Sequence, residues 1–413
     1  MVKIRDNIAL DDASISTQTG TVGEPSAAAS WSGMFITGNW YASRSPDAGR
    51  SWTFVDPFTS FPSDRGEFCC DQLVVWEPKR KFWIWLLQYS QLGGTNIFRV
   101  ALSPDASPGS WHTWEVTPAD VNPSWTSSWF DYPDMAVSDD HLYISFNQFS
   151  TSDAWLRASV LRYSLDELLG LALGRIAPLT REQWTTSQHG SLRFVVGAGD
   201  TMWWASNDID AGALHVFAWP DSGSTVESWV VLVGAWNGDD YTALGPANAP
   251  WLSRCDDRVT GGWRTAGTGG ALLGWLWSSG RMAGRPKPFI RAVTIDETSL
   301  RVVAEPDVWS PTIAWAYPAA GSSLRGRVGL SAFFGSATQH PTHVVGILAD
   351  DGTSWSTKRT AASTHGPLQG KWGDYVTVKP HPRRPTALVA TGFTLQGGQD
   401  RRNVEPRIVV FGP

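Results

Sequence analysis

The sequence predicts an all-β protein, a seven-bladed β-propeller of four-stranded antiparallel blades in which an N-terminal strand joins the last blade. Three observations predict it. Short runs rich in β-branched and aromatic residues alternate with Gly, Pro, Asp and Ser throughout the chain. A polar or aromatic motif recurs seven times at strand starts. The chain also carries 25 tryptophans, rings of the size needed to fill wedge-shaped gaps between packed sheets.

The strand-like runs include Gln72–Trp76, Phe82–Leu87, Leu142–Phe146, Phe194–Val196, Trp229–Val233 and Arg407–Phe411. With 40 Gly and 26 Pro in 413 residues, tight turns are plentiful. One stretch reads as helix: Ser164 and Glu167 form a capping-box pattern before Leu165–Leu173. Long βαβ alternation is absent, which disfavours a parallel α/β sheet.

The strand-start motifs are Gly23-Glu24-Pro25-Ser26, Cys70-Asp71-Gln72, Asp131-Tyr132-Pro133-Asp134, Gln188-His189-Gly190, Ser253-Arg254-Cys255-Asp256-Asp257, Ala316-Tyr317-Pro318 and Gly373-Asp374-Tyr375. Anchors at 24, 71, 131, 189, 254, 317 and 374 are spaced by 47, 60, 58, 65, 63 and 57 residues. Each interval holds four strands with their turns, the size of a propeller blade, so residues 1–413 read as a single domain. Only 39 residues follow Asp374, room for three strands. The segment around Ile8–Ser16 is therefore expected to supply the fourth, which removes the free sheet edge. A pair of β-sandwiches with coincidental spacing is the alternative architecture.

Charge and composition narrow the function classes. A net charge of −6 lacks the basic stripe of a nucleic-acid surface. No apolar run is long enough to span a bilayer. The segment Met1–Asp6 lacks the apolar core of a secretory leader, which leaves an intracellular protein and a secreted one with its leader removed both open. Three cysteines make no disulfide framework. Adjacent Cys69 and Cys70 are expected as reduced thiols on opposite faces of a strand, with a vicinal disulfide as the alternative. The histidines are dispersed; His340 and His343 are close, as a loop pair with no third metal ligand in view.

Ser45-Pro46-Asp47-Ala48-Gly49-Arg50-Ser51-Trp52 matches the Asp-box pattern S-x-D-x-G-x-[ST]-W. Asp350-Asp351-Gly352-Thr353-Ser354-Trp355 repeats all but the leading Ser, and Asp221–Thr225 and Ser103-Pro104-Asp105 are degraded copies. On these residues, and on the Cys-Cys-Asp-Gln, Asp-Tyr-Pro-Asp and Gly-Asp-Tyr motifs, the chain resembles the sialidase-like propellers with BNR (Asp-box) repeats, including bacterial members of unassigned function. The resemblance implies the propeller fold along nearly the whole chain and favours a sugar as ligand. It departs at the Arg-Ile-Pro motif that opens the sialidase arginine triad. The near match, Arg175-Ile176-Ala177-Pro178, lies mid-chain with an inserted Ala, so sialidase activity is not implied.

In a propeller the inner strands run the same way along the axis, so their starting ends share one mouth of the channel. Glu24, Asp71, Asp131, Tyr132, Asp134, His189, Arg254, Tyr317, Asp374 and Tyr375 are then expected to ring one funnel. Crowded carboxylates raise one another's pKa, and neighbouring His or Arg groups separate acid from base. Each residue also has a plain role: Asp and Glu cap turns at strand starts, and Tyr-Pro pairs pack channel walls. The first functional reading is a carbohydrate-active enzyme acting on an oligo- or polysaccharide. As a lyase, His189 or Tyr132 would abstract a proton and Arg254 would neutralise a uronate; as a glycosidase, two carboxylates, Asp134 among them, would flank the bond. Glu24, Asp71, Asp131, Tyr317, Asp374 and Tyr375 would hold the ligand. The alternatives are a lectin-like propeller without turnover and an interaction scaffold whose Asp71, Asp131 and Asp374 hold Ca²⁺, with no cofactor otherwise required.

Overall fold

The computed structural model describes residues 1–10, 15, 18–104, 108–175, 178–267, 270–367, 370–396 and 403–413. Seven four-stranded antiparallel sheets form the blades. Six of them are built from consecutive strands, and their inner strands are Ser26–Ala29, Phe68–Glu77, Ser128–Val137, Arg193–Phe194, Val259–Gly267 and Ala314–Ser322. In the seventh, Val378–Pro380 is innermost, followed by Leu388–Leu395 and Val404–Gly412, and the N-terminal strand Lys3–Ala9 pairs antiparallel with the last of these. The two ends of the chain thus close the ring, and the last blade keeps no edge of its own inside it. The closing strand lies earlier than the Ile8–Ser16 segment expected from the sequence; 11–14 and 16 fall outside the described residues.

Aromatic residues fill the spaces between blades. Trp83, Trp85, Trp204, Trp219, Trp251, Trp263, Trp275, Trp277 and Trp372 are each less than 2% exposed, so packing is the main use of tryptophan here. Between blades one and two, Phe35 meets Trp85 edge to face at 5.0 Å. Between blades four and five the inner strands touch backbone to backbone, with Val196 N–H bonded to Gly262 O and Arg264 N–H to Val196 O.

Turn chemistry follows the sequence at one hairpin and departs at another. Between strands Tyr41–Ser45 and Thr53–Val55, Asp47 Oδ1 accepts from the N–H groups of Arg50 (3.0 Å) and Ser51 (2.9 Å), and Gly49 has φ 92°. Those bonds hold the Asp47 carboxyl at about 2. In the related hairpin at 350–355, Asp351 rather than Asp350 accepts from Thr353 N–H (3.0 Å), while Asp350 pairs with Arg327. Asp221, in the degraded copy between blade-four strands, instead reaches Ser138 and His141 of blade three. Asp105 and the Ile176-Ala177 pair lie outside the described residues.

Two local expectations are corrected. The helix Leu165–Ala172 forms with Ser164 at its N-cap, but no capping box does: the Glu167 carboxylate instead takes Thr180 N–H (2.7 Å) and Oγ1 (2.9 Å) from the following loop. Cys69 and Cys70 form a vicinal disulfide rather than two free thiols. They sit where the pairing of Phe68–Glu77 shifts register between Phe68 and Gln72; such an irregular stretch need not place successive side chains on opposite faces. Among the described residues no helix is long and apolar enough to cross a membrane.

Candidate functional site

Irregular backbone at the starting ends of the inner strands builds the site. Registers shift between Phe68 and Gln72, Asp131 and Asp134, Val259 and Gly261, and Ala316 and Ala319, beginning in the N-terminal halves of four inner strands. Tyr132 and Tyr317, each followed by Pro, take φ 53°. Bulges with residues in the left-handed region re-aim side chains from the sheet face toward the axis, and they occur next to functional sites. The Asp-Tyr-Pro and Ala-Tyr-Pro motifs are these bulges.

Buried polar side chains then fix each strand start. Gln72 Nε2 donates to the carbonyls of Gly38 (2.7 Å) and Tyr41 (3.0 Å), pinning the Asp71 turn to blade one. Asn39 Nδ2 donates to Glu24 Oε2 at 2.9 Å. Gln88 Nε2, on blade two, holds Asp131 Oδ1 at 2.9 Å on blade three. Where the first and last blades meet, Gly23 N–H bonds Trp372 O (2.8 Å), and a Cβ on Gly373 would lie 2.1 Å from the Gly23 carbonyl oxygen. That close approach sets Glu24 beside Asp374. Gly373→Ala should push these two segments apart and cost about 1–3 kcal/mol in chemical denaturation; an unchanged midpoint would show that the contact is unimportant.

The central feature is a cluster of carboxyl groups. Glu24 is 4% exposed and its pKa is raised well above the ordinary carboxylate range by burial, then by the charges of Asp71 and Asp374. Asp71, half-buried and hydrogen-bonded to Glu24, is pushed up to about 7 by burial and by Asp131. The pair is therefore arranged to retain a proton near neutrality. Around it stand Asp374, which accepts Arg254 Nε (3.2 Å) and Nη2 (2.9 Å), and Asp256, which accepts Arg258 Nε (2.6 Å). Burial raises the Asp256 carboxyl above its ordinary value against the pull of Arg258. The Arg258 guanidinium lies 4.1 Å from the Tyr132 ring centre. Tyr375 is 2% exposed, and its hydroxyl has no hydrogen-bond partner among the described residues.

Of the residues singled out from the sequence, Glu24, Asp71, Asp131, Tyr132, Arg254, Asp374 and Tyr375 meet here. Tyr317 reaches the same centre but is 4% exposed and spends its hydroxyl on the Trp251 carbonyl (3.1 Å), a wall rather than a ligand contact. Asp134 lies deeper in the channel, accepting Arg193 Nη1 (2.9 Å) and Phe194 N–H (2.9 Å). His189 does not join the ring. Its imidazole stacks on His215 at 3.8 Å and lies 5.7 Å from the Phe217 ring, and His215 in turn bonds Asp208. Burial and the neighbouring His215 lower the His189 pKa. Blade four has a short inner strand, only Arg193–Phe194, and Ser191 rather than His189 is tied to the neighbouring blade through Asn147. His340 and His343 lie on a strand, not a loop; His343 is fully buried between Ser331 and Thr360.

Sequence reasoning missed Arg258 and Arg193 and did not single out Asp256, although the blade-five motif contains it. Asp256 and Arg258 immediately precede the bulge at Val259, and that spacing was the available signal. Among the described residues no group of three or more His, Cys, Asp or Glu side chains has the geometry to hold a metal ion.

No protein-family model matches the sequence, and no curated protein is similar to it. Solved structures with a related fold include an α-L-arabinanase of Penicillium chrysogenum in complex with arabinobiose, at 10% identity and TM-score 0.45, covering 99% of this chain and 98% of that one. An α-L-arabinofuranosidase of Fusarium graminearum aligns at 8% identity and TM-score 0.44 over 99% and 98%. A Trypanosoma rangeli sialidase aligns at 8% identity and TM-score 0.43, covering 81% of this chain and 57% of that one. By its own blade count and closure, this chain is a seven-bladed β-propeller.

Proposed function

We propose that the funnel hydrolyses a glycosidic bond in an oligo- or polysaccharide. The observation that carries the reading is the Glu24–Asp71 pair, two hydrogen-bonded carboxyl groups with raised pKa set among the further carboxylates Asp131 and Asp374. Glycoside hydrolysis needs one carboxyl protonated and a second ionised at the same pH. Asp71, the more exposed member, donates the proton to the leaving oxygen; Glu24 beneath it stores and returns it. Asp131, oriented by Gln88, serves as the second carboxyl group on the other side of the bond. Arg254 and Arg258 at the mouth bind sugar hydroxyl or carboxylate oxygens while keeping Asp374 and Asp256 in place.

The elimination alternative is less well supported. Its proposed base His189 stacks with His215 outside the funnel, and burial raises the pKa of Tyr132, which disfavours a phenolate.

A panel of plant and bacterial polysaccharides, followed by reducing-end release and by absorbance of unsaturated products, tests the reading. New reducing ends without absorbance gain are expected. Absorbance gain would replace hydrolysis by elimination. Glycan binding without product would make the protein a lectin-like propeller. A melting temperature lowered by chelator and restored by Ca²⁺ would favour the scaffold reading on Asp71, Asp131 and Asp374.

A further inference from the structure

The mouth opposite the acidic funnel has a different chemistry. There the C-terminal ends of the inner strands enclose a cavity of about 170 Å³. Val75, Trp76, Met135, Val137, Val196 and Leu324 give it largely apolar walls. Lys379, on the inner strand of the last blade, lines it and is only 9% exposed. Its Nζ donates to Ser26 Oγ at 3.1 Å and to the Val74 carbonyl.

An ammonium group has three N–H donors, and here two are placed. No carboxylate among the described residues forms an ion pair with this amine. Asp134 acts on it only at a distance, being committed to Arg193 and Phe194 N–H. Glu77, also on the cavity wall, directs its carboxylate to the N–H groups of Lys79 and Arg80. Lys79 pairs with Asp139 at the rim (2.6 Å). Left without a counter-charge in apolar surroundings, Lys379 is pushed by burial down to about 7. In its neutral form the two N–H bonds stay satisfied and the third position is a lone pair. An anion would need the protonated form that these walls disfavour, whereas a carbonyl carbon needs the neutral one.

We propose that this cavity is a second binding site, which takes a small aldehyde or ketone with an apolar body and holds it as an imine on Lys379. The nitrogen lone pair attacks the carbonyl carbon, and the C–O π electrons move to oxygen. A proton passes from nitrogen to that oxygen; the carbinolamine then loses water as C=N forms. Amine and carbonyl give imine and water, with no oxidant or reductant, and hydrolysis reverses it. The site is independent of the chemistry assigned to the funnel.

The test treats the whole protein with hexanal and cyanoborohydride, which fixes any imine as a secondary amine, and maps the product by peptide mass spectrometry. The chain has seven lysines, so the others are internal controls. Alkylation of Lys379 is expected to run at least about tenfold faster than that of rim Lys79, and to slow as pH falls through about 7 while the amine protonates. Lys379→Met should remove the fast adduct alone, and Leu324→Trp, at the cavity entrance, should slow it without touching the lysine. Labelling of Lys379 no faster than that of Lys79, or fast labelling indifferent to Leu324→Trp, would overturn the proposal.

Discussion

Asp71→Asn should reduce hydrolysis about 10²–10⁴-fold while leaving the protein folded, the range lost when a positioned proton donor is removed. The same substitution should change how stability depends on pH. An aspartate in an unfolded chain titrates near its ordinary value of 3.8, whereas Asp71 in the folded protein titrates at about 7. Between these values the folded state holds a proton that the unfolded state has released. Stability is therefore fully present below about pH 4 and is lost as pH rises toward 7. Three pH units at about 1.4 kcal/mol each set an upper value of ~4 kcal/mol for this one group. Glu24, also raised by burial, contributes a fall of the same sign. Asn carries no proton to lose, so the variant should show a flatter profile between pH 5 and 8 in urea titrations, and the wild type should be the less stable of the two at pH 8. Activity that survives in Asp71→Asn would remove the proposed acid; a wild-type profile that rises with pH over this interval would show the pair to be ionised.

The blade plan was legible in the sequence because turn residues and β-branched runs are local signals, and because the strand-start motifs repeat at blade-sized steps. The same anchors located most of the acidic funnel: Glu24, Asp71, Asp131 and Asp374 meet although 350 residues separate the first from the last. The direction in which a side chain points was not legible. Asp131 and Asp134 lie three positions apart on either side of one bulge; the first faces the mouth and the second the channel interior. His189 was placed in the ring by spacing alone, yet its blade begins late, at Arg193, and a stacked partner 26 residues away captures the imidazole. Arg193 and Arg258 carry no sequence signal because an arginine at a strand start belongs to no motif. Their roles depend on a neighbouring blade, which brings Asp134 against Arg193 and Tyr132 against Arg258.

Asp134 supplies the sharpest contrast with Asp71, since both are acidic residues at blade starts. Asp134 is 9% exposed and Arg193 is 7% exposed, and their bond at 2.9 Å ties blade three to blade four inside the channel. The other carboxylate oxygen takes Phe194 N–H at 2.9 Å, so a single side chain serves a buried cation and a strand end. Asp134→Ala strands the guanidinium without its partner, and breaking a buried pair in this way costs about 3–5 kcal/mol. The expected result is a large loss in denaturation midpoint, with hydrolysis per folded molecule little changed. Asp134→Leu combined with Arg193→Met replaces both charges by apolar groups of similar size, and should recover much of the loss because no charge is left buried alone. If the double variant is as unstable as Asp134→Ala, the pair is not the source of the cost. If Asp134→Ala keeps its stability but loses turnover, the carboxylate faces substrate and the division between mouth and channel drawn at the Tyr132 bulge is in the wrong place.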